Sequence, residues 1–393
     1  MTIDREGIYM NSFEFFVPTK IVFQEHAVRN RLVEQIMALK VSAIILITDK
    51  GVVSAGILKE VVATLDQAGI KYTVFDDVES NPSTDTCMKA FQTAKEIGAG
   101  ATIAIGGGSP MDVAKAVGIL MTNGGDLESY EGPNKFENQM LPMICIPTTA
   151  GTGSELTPFA VITIRAKHYK MSIFSIKCLP QVALLDPTLL STVPPHIAAA
   201  CGMDALTHAV ESFINSSASP ITDAYACEAM RLIGKYLRAY VANRENLTAA
   251  GAMLVASSLA GVSFGVARLG NVHAMAHPLG GFFDLPHGVA NAILLPHVMR
   301  FNLLADSGKY RRIAELLGED TSGLSDREAA KLAIAAVVEL SLDIGIPKSL
   351  SDVGVTQDLI SAMSVDAMKS GNILINPRQT TLKDIESLFM AAM

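Results

Sequence analysis

The first half of this chain alternates short, fully apolar runs with helical patterns, and few folds accept that alternation. VSAIILIT (41–48) is followed by a helical pattern near 51–68, and YTVFD (72–76) by one near 84–97. ATIAI (101–105) leads through GGGSP into a helix reaching about Met121, and MICIP (143–147) and QVALLD (181–186) are further strand-like runs. Strands that are apolar on both sides and separated by helices predict a parallel sheet covered on both faces. After Asp186 the pattern changes. Pro194 and Pro195 punctuate the chain, and Ala/Leu/Met-rich segments with helical spacing then dominate, at 196–213, 222–241, 247–267, 271–280, 289–304, 308–317 and 326–344. The expected organisation is an α/β domain over 1–190 and an all-helical domain over 191–393.

Composition narrows the function classes. With 393 residues, 49% hydrophobic and 18% charged, the chain can bury large cores, which excludes global disorder. A formal net charge of -8 argues against a nucleic-acid binder, which needs a basic stripe. Five scattered cysteines, Cys87, Cys145, Cys178, Cys201 and Cys227, form no CxxC pair. That fits a reduced, cytoplasmic protein without a disulfide frame or zinc ribbon. The start, MTIDREGIYMNSF, has no apolar core of the kind a signal peptide carries. Residues 247–267 carry no charge and reach the length of a membrane span. They are mostly Ala, Gly and Ser, and they read as a helix buried among others.

Three motifs in the first half suit a ligand. Gly106, Gly107 and Gly108 follow a strand, with Ser109 and Pro110 opening a helix. Glycines let a backbone approach a ligand closely, and a helix N-terminus offers free N–H groups to a phosphate. A capped helix after a tight turn would need only the Ser-Pro-x-Asp that follows, so three glycines favour phosphate binding. Asp49, just past the first strand, suits either a ribose-holding acid or a turn aspartate at a helix start. PTTAGTGSE, from Pro147 to Glu155, lies at a strand's carboxyl end; from spacing alone it is a Gly/Thr loop.

The second half carries a histidine constellation. Six of the 8 histidines fall between 196 and 297. Asp204 and His208 are four apart in GMDALTHAVE, His273 and His277 four apart in NVHAMAHPLGG, and His287 follows in LPHG. Residues four apart on a helix project from one face. Buried carboxylates and imidazoles are costly unless paired or metal-bound. One carboxylate with several imidazoles suits a divalent first-row metal. His196 and His297 each adjoin a proline at an element edge and look peripheral.

Taken together, GGGSPMDVAKA, PTTAGTGSE, GMDALTHAVE and HAMAHPLGGFFDLPHG resemble the iron-containing (group III) alcohol dehydrogenases over essentially the whole chain. They look most like the branch of lactaldehyde reductase and 1,3-propanediol dehydrogenase. The resemblance implies a dehydroquinate-synthase-like fold, with an N-terminal nucleotide-binding α/β domain and a C-terminal all-α metal-binding domain. It implies an NAD-dependent oxidoreductase interconverting small primary alcohols or diols and aldehydes, with Fe2+ as the metal and Zn2+ or another divalent ion as a substitute. It places metal ligands at Asp204, His208, His273 and His287, and a further histidine near metal and nicotinamide at His277. The pyrophosphate loop falls on Gly107, Gly108 and Ser109, and the nicotinamide-side loop on Thr148, Thr149 and Thr152. Asp49 matches the acid that favours NAD over NADP, and Asn81, Val161 and Lys170 match further cofactor contacts. Phe159 and Phe264 are candidate apolar walls of the substrate pocket. The family also implies a homodimer or higher homo-oligomer.

Two rival readings remain at this point. Metal- and NAD-dependent cyclising lyases of the same fold act on phosphorylated sugar acids, which need Lys or Arg beside the metal. None occurs from Asn271 to His297, which favours a small neutral substrate. A non-enzymatic metal-binding assembly protein would have no use for the glycine loop. His277, one helical turn from His273, is the expected proton relay, since imidazole titrates near neutrality.

Overall fold

A computed structural model describes Thr2–Ile3 and Tyr9–Met10 as backbone, and the chain from 12 to 393 apart from position 168. The stretch read for a targeting signal lies largely outside the described residues.

The chain forms two compact units. One comprises Val17–Val193 and Arg244–Leu254; the other comprises Pro194–Asn243 and Val255–Met393 with the segment ending at Phe16. Against a single division after 190, the structure therefore exchanges two further segments. For 244–254 the reason is packing: a Cβ on Gly251 would lie 3.0 Å from the Phe23 ring and 3.6 Å from Pro187.

The α/β unit is built on a six-stranded, wholly parallel sheet. Its strands are β1 (Lys20–Phe23), β2 (Ile44–Ile47), β3 (Tyr72–Phe75), β4 (Ala101–Gly106), β5 (Met143–Pro147) and β8 (Val182–Leu185), in the spatial order β1-β8-β5-β4-β2-β3. Successive residues point to opposite faces. Ile44 and Leu46 therefore join one core with Val28 and Leu32, while Ile45 and Ile47 join another with Ala90 and Val113. The helices are α1 (Ala27–Leu39), α2 (Lys50–Ser54), α3 (Ile57–Gln67), α4 (Thr84–Ile97) and α5 (Gly108–Asn123). The single helix expected near 51–68 is broken at Gly56, whose φ of 79° lies in the left-handed region. A smaller sheet pairs β6 (Phe159–Ile164) with β7 (Tyr169–Phe174) antiparallel.

From Pro194 onward every described element is helical. The helices that matter for the site are α6 (Pro195–Ile214), α7 (Pro220–Ala242), α8 (Leu247–Ala267), α9 (Asn271–Phe283) and α10 (His287–Asn302). Ser219 and Thr222 close a capping box that starts α7 behind Pro220. The uncharged helix α8 is long and apolar enough to cross a membrane, yet 78% of its most apolar window is buried inside the protein. The folded chain thus uses it as a core helix, as its Ala/Gly/Ser content predicts.

Candidate metal centre and nucleotide cradle

Helix α6 carries Asp204 and His208 one turn apart, α9 carries His273 in its first turn, and α10 starts at His287. The donor atoms of Asp204, His208 and His273 lie within 4.8 Å of one another, and His287 stands beside Asp204. Asp204 Oδ1 lies 3.9 Å from His208 Nε2, 3.9 Å from His273 Nε2 and 3.8 Å from His287 Nε2. Asp204, His208 and His273 are 3%, 4% and 2% exposed, while the His287 side chain is 33% exposed, so the centre is closed except on the side of His287. Burial raises the Asp204 carboxyl, but His208, His287, His273 and a hydrogen bond from Asn291 outweigh it and hold it below its ordinary value. Burial drives His273 well below the usual imidazole range. The donor set is one carboxylate facing imidazoles, and a divalent cation takes these as the ionised and the neutral form.

The spacing fits as well. With metal–ligand bonds of about 2.0–2.2 Å, tetrahedral donors sit roughly 3.4 Å apart. Each histidine nitrogen stands 3.8–3.9 Å from Asp204 Oδ1, a few tenths of an ångström beyond that spacing. Packing keeps the rings aligned: His208 stacks on Phe264 at 4.3 Å and on His273 at 4.6 Å. His277, one turn beyond His273, places its ring 5.8 Å from that of His287.

Two residues of this centre escape a search for ligands. Glu211 is buried, accepting from Val272 N at 2.6 Å and lying 2.6 Å from His273 Nδ1. Burial, against hydrogen bonds from the α9 backbone, pushes its carboxyl up to about 7. Asn291 donates from Nδ2 to Asp204 Oδ1 at 2.6 Å, and the same nitrogen lies 3.1 Å from His273 Nε2 and 3.1 Å from His287 Nε2. Both have a signal in hindsight. Asp204, His208 and Glu211 follow an i, i+4, i+7 stripe, and Asn291 is four residues after His287.

In the α/β unit the glycine loop leaves the end of β4. Helix α5 begins at Gly108 with Gly107 as its cap, one residue ahead of Ser109, and no side chain caps it. A Cβ on Gly107 would lie 3.0 Å from Thr149 Oγ1, and one on Gly108 would lie 3.1 Å from Thr152 Cγ2. The two loops thus press together at the carboxyl ends of β4 and β5, and Thr148 N donates to Gly106 O at 3.0 Å. A backbone cradle that any side chain would fill, at a helix N-terminus, suits a pyrophosphate.

Asp49, after β2, accepts from Val52 N at 2.9 Å and so caps α2. Its Oδ2 stands beside Gly106, 3.1 Å from where a Cβ would be. Both sequence readings of Asp49 are compatible with this placement. Asn81 adopts φ 54° and accepts from Lys170 Nζ at 2.8 Å, which joins two of the outlying cofactor candidates. Val161 donates its N–H to Asp112 Oδ2 at 3.2 Å. Phe159 packs on Phe174 at 4.9 Å within the small sheet.

Beneath this cradle lies a buried charge network that motif reading passed over. Lys115 is fully buried, and its Nζ donates to five oxygens of Ser154, Thr157 and Phe159 at 2.7–3.3 Å. Asp112 accepts from Ser154 Oγ at 3.1 Å. The pair staples the loop after β5 to α5.

Comparison with known proteins shows the family. A family model for "Iron-containing alcohol dehydrogenase" matches residues 18–187, and one for "Fe-containing alcohol dehydrogenase family, C-terminal" matches 198–393. The chain is 44% identical to 1,3-propanediol dehydrogenase of Citrobacter freundii over 97% of this chain and 98% of that one. It is 41% identical to lactaldehyde reductase of Escherichia coli (strain K12), covering 88% of this chain and 91% of that one. A crystal structure of 1,3-propanediol oxidoreductase superposes with a TM-score of 0.95 at 43% identity, covering 98% of this chain and all of the other. The chain belongs to the iron-containing alcohol dehydrogenase family.

Proposed function

We propose that this chain is a metal-dependent, NAD(H)-linked oxidoreductase that interconverts small primary alcohols or diols with aldehydes by direct hydride transfer. The carrying observation is that the donor atoms of Asp204, His208 and His273 lie within 4.8 Å of one another, with His287 Nε2 3.8 Å from Asp204 Oδ1. These four would hold a divalent cation: Fe2+ by family, with Zn2+ or another divalent ion compatible with the same donors. When bound, the cation would supply Lewis acidity toward the alcohol or carbonyl oxygen and NAD(H) the hydride chemistry.

The protein's own residues do the rest. Gly107, Gly108 and Ser109 would take the pyrophosphate on free backbone N–H groups, with Thr148, Thr149 and Thr152 beside them. Asp49 would hold the ribose, and Asn81, Val161 and Lys170 would add contacts. His277, whose ring lies 5.8 Å from that of His287, would carry the hydroxyl proton away. Phe264, stacked on His208, gives the centre an apolar wall. The relatives named 1,3-propanediol dehydrogenase, lactaldehyde reductase and NAD-dependent methanol dehydrogenase support small alcohols as substrates. The absence of Lys and Arg from Asn271 to His297 disfavours the cyclising lyase.

We place the protein in the cytoplasm as a homo-oligomer. Oligomerisation is supported by the edge strand β1, where Ile21 and Phe23 are 47% and 50% exposed. The test is a panel of short alcohols, diols and aldehydes assayed with NAD(H) on metal-analysed protein. Turnover with small uncharged substrates is the expected result. No NADH formation from any of them, with metal bound, would overturn the reading.

A further inference from the structure

The imidazole of His273 is gripped at both nitrogens. Nε2 lies 3.1 Å from the side-chain nitrogen of Asn291, and Nδ1 lies 2.6 Å from Glu211 Oε2. The orientation of the Asn291 amide is settled by its third contact: the same nitrogen lies 2.6 Å from Asp204 Oδ1, a carboxylate oxygen that can only accept. The amide therefore donates, and the His273 nitrogen facing it is the bare one. The ring proton is left on Nδ1, which donates it in a hydrogen bond to Glu211 Oε2.

Glu211 is itself anchored. Its second oxygen accepts from Val272 N at 2.6 Å, at the start of α9, where first-turn N–H groups have no partner within the helix. A Cβ on Gly270, the residue before α9, would lie 2.9 Å from that same oxygen, so only glycine lets the carboxylate come so close. One side chain from α6, on the same stripe as Asp204 and His208, thus caps α9 with one oxygen and orients the ring of His273 with the other.

We propose that Glu211 is a positioning residue of the metal centre, holding His273 as the Nδ1–H tautomer so that a bare Nε2 faces the donors of Asp204 and His208. This rests on the ligand assignment proposed above. A carboxylate behind a ligating imidazole fixes its ring and tautomer, and losing such a partner typically weakens metal binding about 10–100-fold. A residue that merely capped α9 would not set which ring nitrogen is bare.

Glu211→Gln separates the two roles. Its amide oxygen can still accept from Val272 N, but its NH2 group then faces Nδ1 and favours the opposite tautomer. Metal-free full-length protein would be titrated with Co2+ by visible absorption, and melted without metal. Its histidine tautomers would be read from 15N-histidine NMR spectra. Glu211→Gln is expected to bind Co2+ about 10–100-fold more weakly, to shift the tautomer of one imidazole, and to melt near the wild type. His273→Ala, run alongside, tests the ligand assignment itself. If His273→Ala loses Co2+ while Glu211→Gln keeps wild-type affinity and spectrum, the positioning role falls and the ligand assignment stands. Weak binding by Glu211→Gln with an unchanged tautomer likewise overturns it. If His273→Ala binds Co2+ as the wild type does, the ligand assignment fails first and takes the positioning role with it. Glu211→Gln keeps the volume of the side chain, so the test does not depend on whether Glu211→Ala folds.

Discussion

At the scale of single residues, two charged groups do work that burial makes measurable. Asp49 presents one oxygen to the α2 backbone and the other toward the glycine loop. Asp49→Gly is expected to raise the kcat/KM ratio of NADPH to NADH about tenfold, a change of roughly 1.4 kcal/mol. An unchanged ratio in steady-state assays would remove the ribose role and leave only the helix cap. Lys115 has five oxygens around it and no access to solvent. Lys115→Met leaves those oxygens and Asp112 without their cation, so it should cost about 3–5 kcal/mol, read from the urea midpoint. A variant as stable as the wild type would show that the network is dispensable. Asp49 stands out in the sequence by its place after a strand, whereas Lys115 does not, because it sits in the GGGSPMDVAKA run as one more helical lysine. Its burial follows from where the loop after β5 lands.

At the scale of elements, close helix approach is set by glycine. A Cβ on Gly288 would press on the backbone carbonyl of Ala200, so α10 and α6 meet there without room for a methyl group. A Cβ on Gly202 would instead meet the tip of Leu237, a flexible side chain. Gly288→Ala should therefore cost more than Gly202→Ala, by about 1–3 kcal/mol. It should also lower metal content, because it moves the helix end that carries His287. Equal melting temperatures for the two variants would contradict this. The junction of α5 with the loop after β5 has a pH signature. Burial, partly offset by Lys115, Val161 N–H and Ser154, pushes the Asp112 carboxyl up to about 6. A raised folded value means that the native state holds the proton more tightly than the unfolded chain. The contribution of Asp112 is thus fully present below about pH 4 and is lost as pH rises through about 6, by an amount of order 3 kcal/mol. Relative to Asp112→Asn, the wild type should lose stability between pH 4 and 7 in denaturant titrations. A pH-independent difference would refute the shift.

At the scale of the whole molecule, metal and fold are linked, since a ligand that binds only the native state stabilises it. At about a thousand times its Kd that amounts to roughly 4 kcal/mol. Stripping the metal with a chelator should lower the Tm by several degrees, and His273→Ala should show no metal-dependent change. Equal Tm values with and without metal would argue against a tight site. Much of this protein was legible as a sequence. Fully apolar strands alternating with helices admit little besides a covered parallel sheet, so β2, β3, β4, β5 and β8 were expected where they occur. The Asp204/His208 and His273/His277 pairs four apart and the triple glycine pointed to the chemistry, because residue type and helical period are local properties. Other features were not local. Strand β1 is short and half exposed, and it became a strand by pairing with β8 about 160 residues later, beyond the reach of any periodicity. Residues 244–254 belong with the α/β unit because a ring and a proline from elsewhere in the chain receive Gly251. Glu211 and Asn291 are commonplace on a helix until α9 and α10 bring His273 between them. Sequence determined which donors exist and on which helical face each lies. Only tertiary packing decided which nitrogen of which imidazole they would aim, because hydrogen bonds between residues 62 positions apart are made by proximity in space.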